Sequence, residues 1–314
     1  MNNNQWEVDE LAILFKKYNA LDFLFVEPGG NFGDHLIYWG AEFLAQQLGI
    51  SFRTLSIQEF LAHQAVSGEV VYIHGGGGYN RWCSGAVIQA LEHALRSEAT
   101  SVIQGPCTLE EDRDYIREVM IPILHRHTDR SFYFLARELT SYHLALELLR
   151  PFCHQILISH DTAFRLTKQE ILRTVGEVSR GYQLYGFRLD NESGEKSFAV
   201  NKMGVRMDPA YFCRDFLHWV RVHAGAKKII TNRTHSSILG SILEIDTTLF
   251  PSRYHKNRSV WEYSLKFRGV TWSDGVVTNE ILTRNDFLDY LPGFLRRSYK
   301  VERIVRFCQG VPLK

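Results

Sequence analysis

"KKIITNRTHSSILGSILEI", residues 227–245, passes from a β-branched pair through an arginine and a histidine two positions apart into a stretch with helical apolar spacing. Ile229 and Ile230 read as the end of a strand, and the residues from Ser236 on read as the start of a helix followed by apolar turns. A strand-to-helix junction exposes backbone N–H groups and the positive end of a helix dipole. Arg233 and His235 add a guanidinium and an imidazole, so the junction is a candidate seat for an anion.

The same grammar recurs along the chain. "DFLFVEP" (22–28), "VVYIHGGGG" (70–78), "TSVIQGP" (100–106), "FYFLAR" (132–137) and "QILISHD" (155–161) are strand candidates, interleaved with the helical patterns "LIYWGAEFLAQQLG" (36–49) and "GAVIQALEHALRS" (85–97). After the charged stretch "RLTKQEILRTVGEVSRG", the alternation resumes with "YQLYGFRLD", "FLHWVRVHAGA", "KKIITNRT" and "DTTLFPS". Strand, turn and helix in repetition imply a parallel sheet covered on both faces, hence an α/β protein.

With 314 residues, the chain exceeds one ordinary core and fits two domains of about 150 residues. The boundary falls within 162–180, giving domains 1–165 and 166–314, the second carrying the Arg-x-His junction. Hydrophobic content of 45% and aromatic content of 13% suffice for two interiors. Lys+Arg 36 against Asp+Glu 35 leaves a charge of +1, which argues against a nucleic-acid-binding surface and for a small anion. Five scattered cysteines without a CxxC pair suggest reduced thiols and neither a disulfide framework nor a metal site. The start has no positive n-region followed by an apolar core, and no run of about 18 apolar residues occurs, so a cytoplasmic protein is expected.

Open α/β sheets bind ligands at the carboxyl ends of their strands, which selects the residues to inspect. After the first strand, "EPGGNFGDHLIYWG" offers Asn31, Gly33 and Asp34, with Asp34 also readable as a helix N-cap. After "VVYI" come four glycines flanked by His74 and Asn80. Such a run loses much conformational entropy on folding and reads as a ligand loop lined by backbone, with Gly76 and Gly77 at its centre. Neither glycine stretch is a Walker A or a convincing dinucleotide fingerprint. Arg137 and Glu138 follow another strand, Arg188 a fourth, and "SRYHKNRSVWEYS" (252–264) supplies His255, Lys256 and Asn257. Several cations gather at strand ends without a cluster of His and carboxylates suited to a metal.

Taken together, "GNFGDHLIYWG", "HGGGGYN", "ARELTSYH", "SHDTAF", "TNRTHSSILGSIL" and "YHKNRSVWEYS" resemble the polysaccharide pyruvyl transferases over about residues 22–265. The family pattern Arg-Leu-His-Gly stands here with Thr234 for leucine and Ser236 for glycine. The resemblance implies two Rossmann-like domains facing a central cleft, GT-B-like, and transfer of the enolpyruvyl group of phosphoenolpyruvate to two sugar hydroxyls as a cyclic ketal.

In that chemistry one hydroxyl loses a proton and attacks C2 while C3 gains a proton. Phosphate departs, and the second hydroxyl captures the oxocarbenium-like species. Phosphoenolpyruvate is the substrate, no cofactor is needed, and the acceptor is a glycan that is lipid-linked, nucleotide-linked or polymeric. Arg137 and Arg233 would bind the two anionic ends of the donor, His235 would be the general acid or phosphate partner, and Asp34 or Glu138 the base. A nucleotide-sugar glycosyltransferase and a non-catalytic protein of a polysaccharide system are the competing readings. The carboxy-terminal stretch 287–307, with Arg296, Arg297, Lys300, Arg303 and Arg306 among apolar residues, adds an expected peripheral contact with the inner face of the membrane.

Overall fold

The computed structural model describes residues 9–83, 85–190, 192–193 and 205–275. The stretch 287–307 lies outside them. The described residues divide into two compact units, one formed by those up to Gly30 with Leu36–Arg165, the other by Asn31–His35 with those from Leu166 on.

In the first unit the strands are β1 (Asp22–Glu27), β2 (Phe52–Ser56), β3 (Glu69–Ile73), β4 (Gly76–Tyr79), β5 (Ser101–Leu109), β6 (Phe132–Ala136) and β7 (Gln155–Ile158). They form a seven-stranded sheet in the order β2-β1-β3-β5-β6-β7, with β4 added alongside β5, and every pairing is parallel. Both faces are covered. Leu24, Val26, Val71 and Ile73 enter one apolar cluster, whereas Phe23, Phe25, Val70 and Tyr72 enter the other. Successive side chains of a strand point to opposite faces, so a strand buried on both sides must be apolar at every position. The run "FLFV" satisfies that demand with four residues at 0% exposure.

In the second unit β8 (Tyr182–Gly186), β9 (Val205–Met207), β10 (Ala226–Thr231), β11 (Asp246–Leu249) and β12 (Thr271–Trp272) form a five-stranded sheet in the order β12-β11-β10-β8-β9. These pairings are parallel as well. The helix Thr234–Ile242 follows β10 and buries Ile238, Leu239 and Ile242, as the opening stretch of sequence predicts.

Two segments go beyond the sequence reading. The charged stretch after Asp161 contains a helix, Lys168–Val175, capped by Thr167 and seated on Ile171 and Val175. The glycine run, expected as a loop, includes strand β4, whose Gly76 pairs with Cys107. Just before it, a side chain at Gly75 would place Cβ 2.0 Å from the carbonyl oxygen of Pro106. Contact of backbone with backbone accounts for glycine there without any ligand. Among the described residues, no helix is long and apolar enough to cross a membrane.

Candidate functional site

The carboxyl end of β10 is built around Arg233, the N-cap residue of the helix Thr234–Ile242. Its backbone N–H donates to Thr231 Oγ1 at 2.9 Å, and that hydroxyl donates to the Gly186 carbonyl on the neighbouring strand. The turn is thereby locked to β8. The guanidinium grips Asp208 with two bonds, Nε to Oδ1 at 2.5 Å and Nη2 to Oδ2 at 2.6 Å, and Nη2 also reaches Asp190 Oδ2 at 3.0 Å. Asp208 accepts further N–H bonds from Leu189 and Ala210. A fully buried carboxylate is tolerable when paired and hydrogen-bonded in this way.

Arg188 sits beside this pair. It forks onto Asp190 at 2.8 and 3.0 Å and bonds Glu192 at 2.7 Å, while Glu192 also holds Lys256. Desolvation pushes Asp190 upward, but the bond from Arg188 and the charges of Arg188 and Arg233 outweigh it and hold the group well below the usual carboxylate range. Glu192 is lowered too, because the charges of Lys256 and Arg188 overcome its burial. Arg188 and Lys256, expected from sequence as cations facing substrate, thus join Arg233 in a network that, among the described residues, pairs these three cations with Asp190, Asp208 and Glu192.

His235 is half-buried in the first turn of the same helix. A Cβ on Gly33 would lie 2.4 Å from its Nδ1, so glycine at 33 makes room for the imidazole. The flanking residues organise the start of helix Phe32–Gln47. Asn31 Oδ1 accepts the Gly33 N–H and Asp34 Oδ2 accepts the Asn31 N–H, both at 2.8 Å. Asp34 therefore lies inside the helix and reaches back, whereas the sequence suggested it as the N-cap.

Thr234 and Ser236, which replace the usual leucine and glycine, both find partners. Thr234 donates to Asn257 Oδ1 at 2.6 Å, and Asn257 Nδ2 donates to the carbonyls of Asn232 and Phe250 at 2.7 and 2.8 Å. The Asn257 amide, expected to face substrate, is taken up by these protein bonds. Ser236 Oγ lies 2.9 Å from His223 Nε2, whose ring is fixed by a bond between Nδ1 and the Trp219 carbonyl. Desolvation lowers the His223 pKa to about 4, so the ring is neutral and accepts the serine proton. His255, also expected near substrate, is the N-cap residue of Lys256–Tyr263.

In the first unit, Arg137 at the end of β6 is sealed at 1% exposure, with Nη1 on Asp161 Oδ2 and Nε on Thr108 Oγ1, each at 2.8 Å. Glu138 is the fully buried N-cap of Leu139–Leu148 and accepts the Ser141 N–H. That duty leaves a buried cap where the sequence suggested a base. Asn80 is likewise a turn organiser, donating to the Gly77 carbonyl and accepting from the Trp82 and Cys83 N–H groups. His74, between β3 and the glycines, is fully buried with neither ring nitrogen hydrogen-bonded, and desolvation lowers its pKa to about 3.

Sequence reasoning passed over Asp208 and Asp161 as partners of the two arginines. Asp208 precedes Pro209, a legible helix start, but its bond to Arg233 spans 25 positions and leaves no local trace.

The parallel sheets with helices define an α/β protein. Residues 31–252 match the polysaccharide pyruvyl transferase family, and the chain belongs to that family. None of the curated proteins matches it. Among solved structures, an uncharacterised protein from Klebsiella pneumoniae subsp. pneumoniae is similar, with a TM-score of 0.64 and 18% identity, over 84% of this chain and 97% of the other. The wall teichoic acid polymerase TagF gives a TM-score of 0.33 and 12% identity, over 82% and 76%. The family indicates a pyruvyltransferase with a polysaccharide acceptor.

Proposed function

We propose that the protein transfers the enolpyruvyl group of phosphoenolpyruvate to two hydroxyls of a sugar, leaving a cyclic pyruvate ketal on a glycan or glycan precursor. The observation that carries this reading is Arg233. A guanidinium aligned by a buried carboxylate at a strand-to-helix junction, next to a half-buried imidazole, lies within the segment matching the family. Oxyanions are well held where a charge-assisted donor meets the first turn of a helix.

In this mechanism Arg233 binds an anionic end of the donor, and His235 supplies the proton that C3 gains or that departing phosphate takes. Asp34, next to Gly33, is the preferred base for the acceptor hydroxyl. Arg137 and Glu138 hold the end of β6 and the start of the helix that follows it, and Asn257 and Asn80 hold their turns. The GT-B-like disposition of two Rossmann-like domains, the cytoplasmic location and the membrane-proximal acceptor belong to the same proposal.

The test is incubation with phosphoenolpyruvate and a panel of synthetic and lipid-linked glycosides, reading phosphate release together with the mass of the acceptor. A ketal product is expected, with kcat/KM falling at least about a hundredfold in Arg233→Ala, the size of a lost charge-assisted bond of about 3 kcal/mol. Stabilisation by UDP or GDP and not by phosphoenolpyruvate would move the assignment to a glycosyltransferase.

A further inference from the structure

Arg233 has two carboxylate partners of different character. Asp208 is fully buried, holds two guanidinium nitrogens, and is itself anchored by two backbone N–H groups. Asp190 is 36% exposed and touches Arg233 through a single 3.0 Å bond to Nη2. The side edge of the guanidinium, Nε with Nη2, is occupied by Asp208. The end edge, Nη1 with the second N–H of Nη2, is the one Asp190 partly covers. An oxyanion with two oxygens fits that edge as a fork, and must take over the Nη2 donor that Asp190 now uses.

Release would strand nothing. Asp190 keeps its two bonds from Arg188 and accepts the Glu192 N–H at 3.1 Å. Among the described residues, Arg188, Arg233 and Lys256 are matched by Asp190, Asp208 and Glu192, so an arriving phosphate or carboxylate gains little attraction from Arg233 until Asp190 moves aside. Resting on the proposed donor site, we propose that the Asp190 carboxylate is a place-holder for the anionic substrate on Arg233, displaced when substrate binds, whereas Asp208 is the fixed positioning residue. The two aspartates then have opposite effects on anion affinity.

Titration calorimetry with phosphoenolpyruvate, inorganic phosphate and pyruvate, on wild type, Asp190→Asn and Asp208→Asn, separates the possibilities. Asp190→Asn should bind phosphoenolpyruvate about tenfold more tightly, the effect of removing one negative charge a few ångströms away in a partly screened site. The phosphate and pyruvate arms identify which end of the donor sits on Arg233, since only the matching anion gains. Asp208→Asn should weaken binding by about tenfold or more, because it unseats the guanidinium. Asp190→Ser, with melting temperatures for each variant, guards against a folding artefact and should reproduce the gain.

Equal or weaker binding of all three anions by both Asp190 variants overturns the place-holder, and so does absence of binding in every variant. A gain for inorganic phosphate with no preference for phosphoenolpyruvate and no ketal product leaves the place-holder standing and removes the pyruvyl transfer reading instead.

Discussion

Arg137 and Arg233 occupy equivalent positions, each just past the end of a parallel strand, and the protein treats them in opposite ways. Arg137 is closed off with Asp161 and Thr108, and both charged side chains are 1% exposed. Arg233 shares Asp208 and Asp190, one of them 36% exposed, and is coupled through Asp190 to Arg188. A pair this buried is an element of architecture: breaking it removes the counter-charge of a buried side chain. A graded network can exchange a partner. An arginine at a strand end becomes a candidate for binding only when one of its carboxylates can leave.

The sharpest way to break this contrast is Arg137→Ala. Asp161 would be left buried without its guanidinium, and a cost of about 3 to 5 kcal/mol is expected in urea unfolding. Arg233→Ala strips Asp208, equally buried, of its guanidinium and should cost comparable stability, but it should remove more activity. If Arg233→Ala loses no more turnover than Arg137→Ala, the contrast fails.

Acid titration probes the neutral histidines of the two units. Burial lowers the pKa of His74 to about 3 and of His223 to about 4, while an unfolded histidine titrates near 6.5. Below that value the unfolded chain binds more protons than the folded one. The stabilisation is complete above about pH 6.5 and is lost as pH falls toward 4, at about 1.4 kcal/mol per pH unit for each histidine in mid-window. Urea unfolding at pH 7 and pH 5 should show this loss, and His74→Phe should flatten the slope. An unchanged slope would mean that His74 is not a buried neutral ring.

The smallest effect is expected from Ser236→Ala, which removes the hydroxyl bonded to His223. About 1 kcal/mol of stability should be lost. A variant as stable as wild type would show that the serine is idle.

Much of the architecture is legible because a parallel strand covered on both faces demands uninterrupted apolar residues, and "FLFV" and "FYFLA" supply them. The strands that escape notice lack that signature. β2 is a partly exposed edge strand, Phe52–Ser56, whose middle residues Arg53 and Thr54 are exposed. β4 is mostly glycine, a residue whose propensity points to a loop even when its backbone pairs with β5. At the site, the junction residues Arg233 and His235 could be picked out from local pattern. Their surroundings could not, since Asp208 comes from 25 positions away and Asn257 from 23. Carboxylates that pair an arginine across the chain leave no periodicity, so Arg188 and Lys256 look like spare cations until the network is seen.

The tight approach of main chain to main chain has a consequence for mutational scanning. A Cβ at Gly40 would sit 2.0 Å from the Thr162 carbonyl oxygen, as close as at Gly75 against Pro106. Neither neighbour is a side-chain tip that can swing away. A saturation library scored by product formation alone would deplete Gly40 and Gly75 as severely as Arg233, and a map drawn from it would enlarge the apparent active site. Scoring the same library for protein abundance separates the two kinds of intolerance, because the glycine variants disappear from the soluble pool while a charge-conserving variant such as Arg233→Lys persists with impaired turnover.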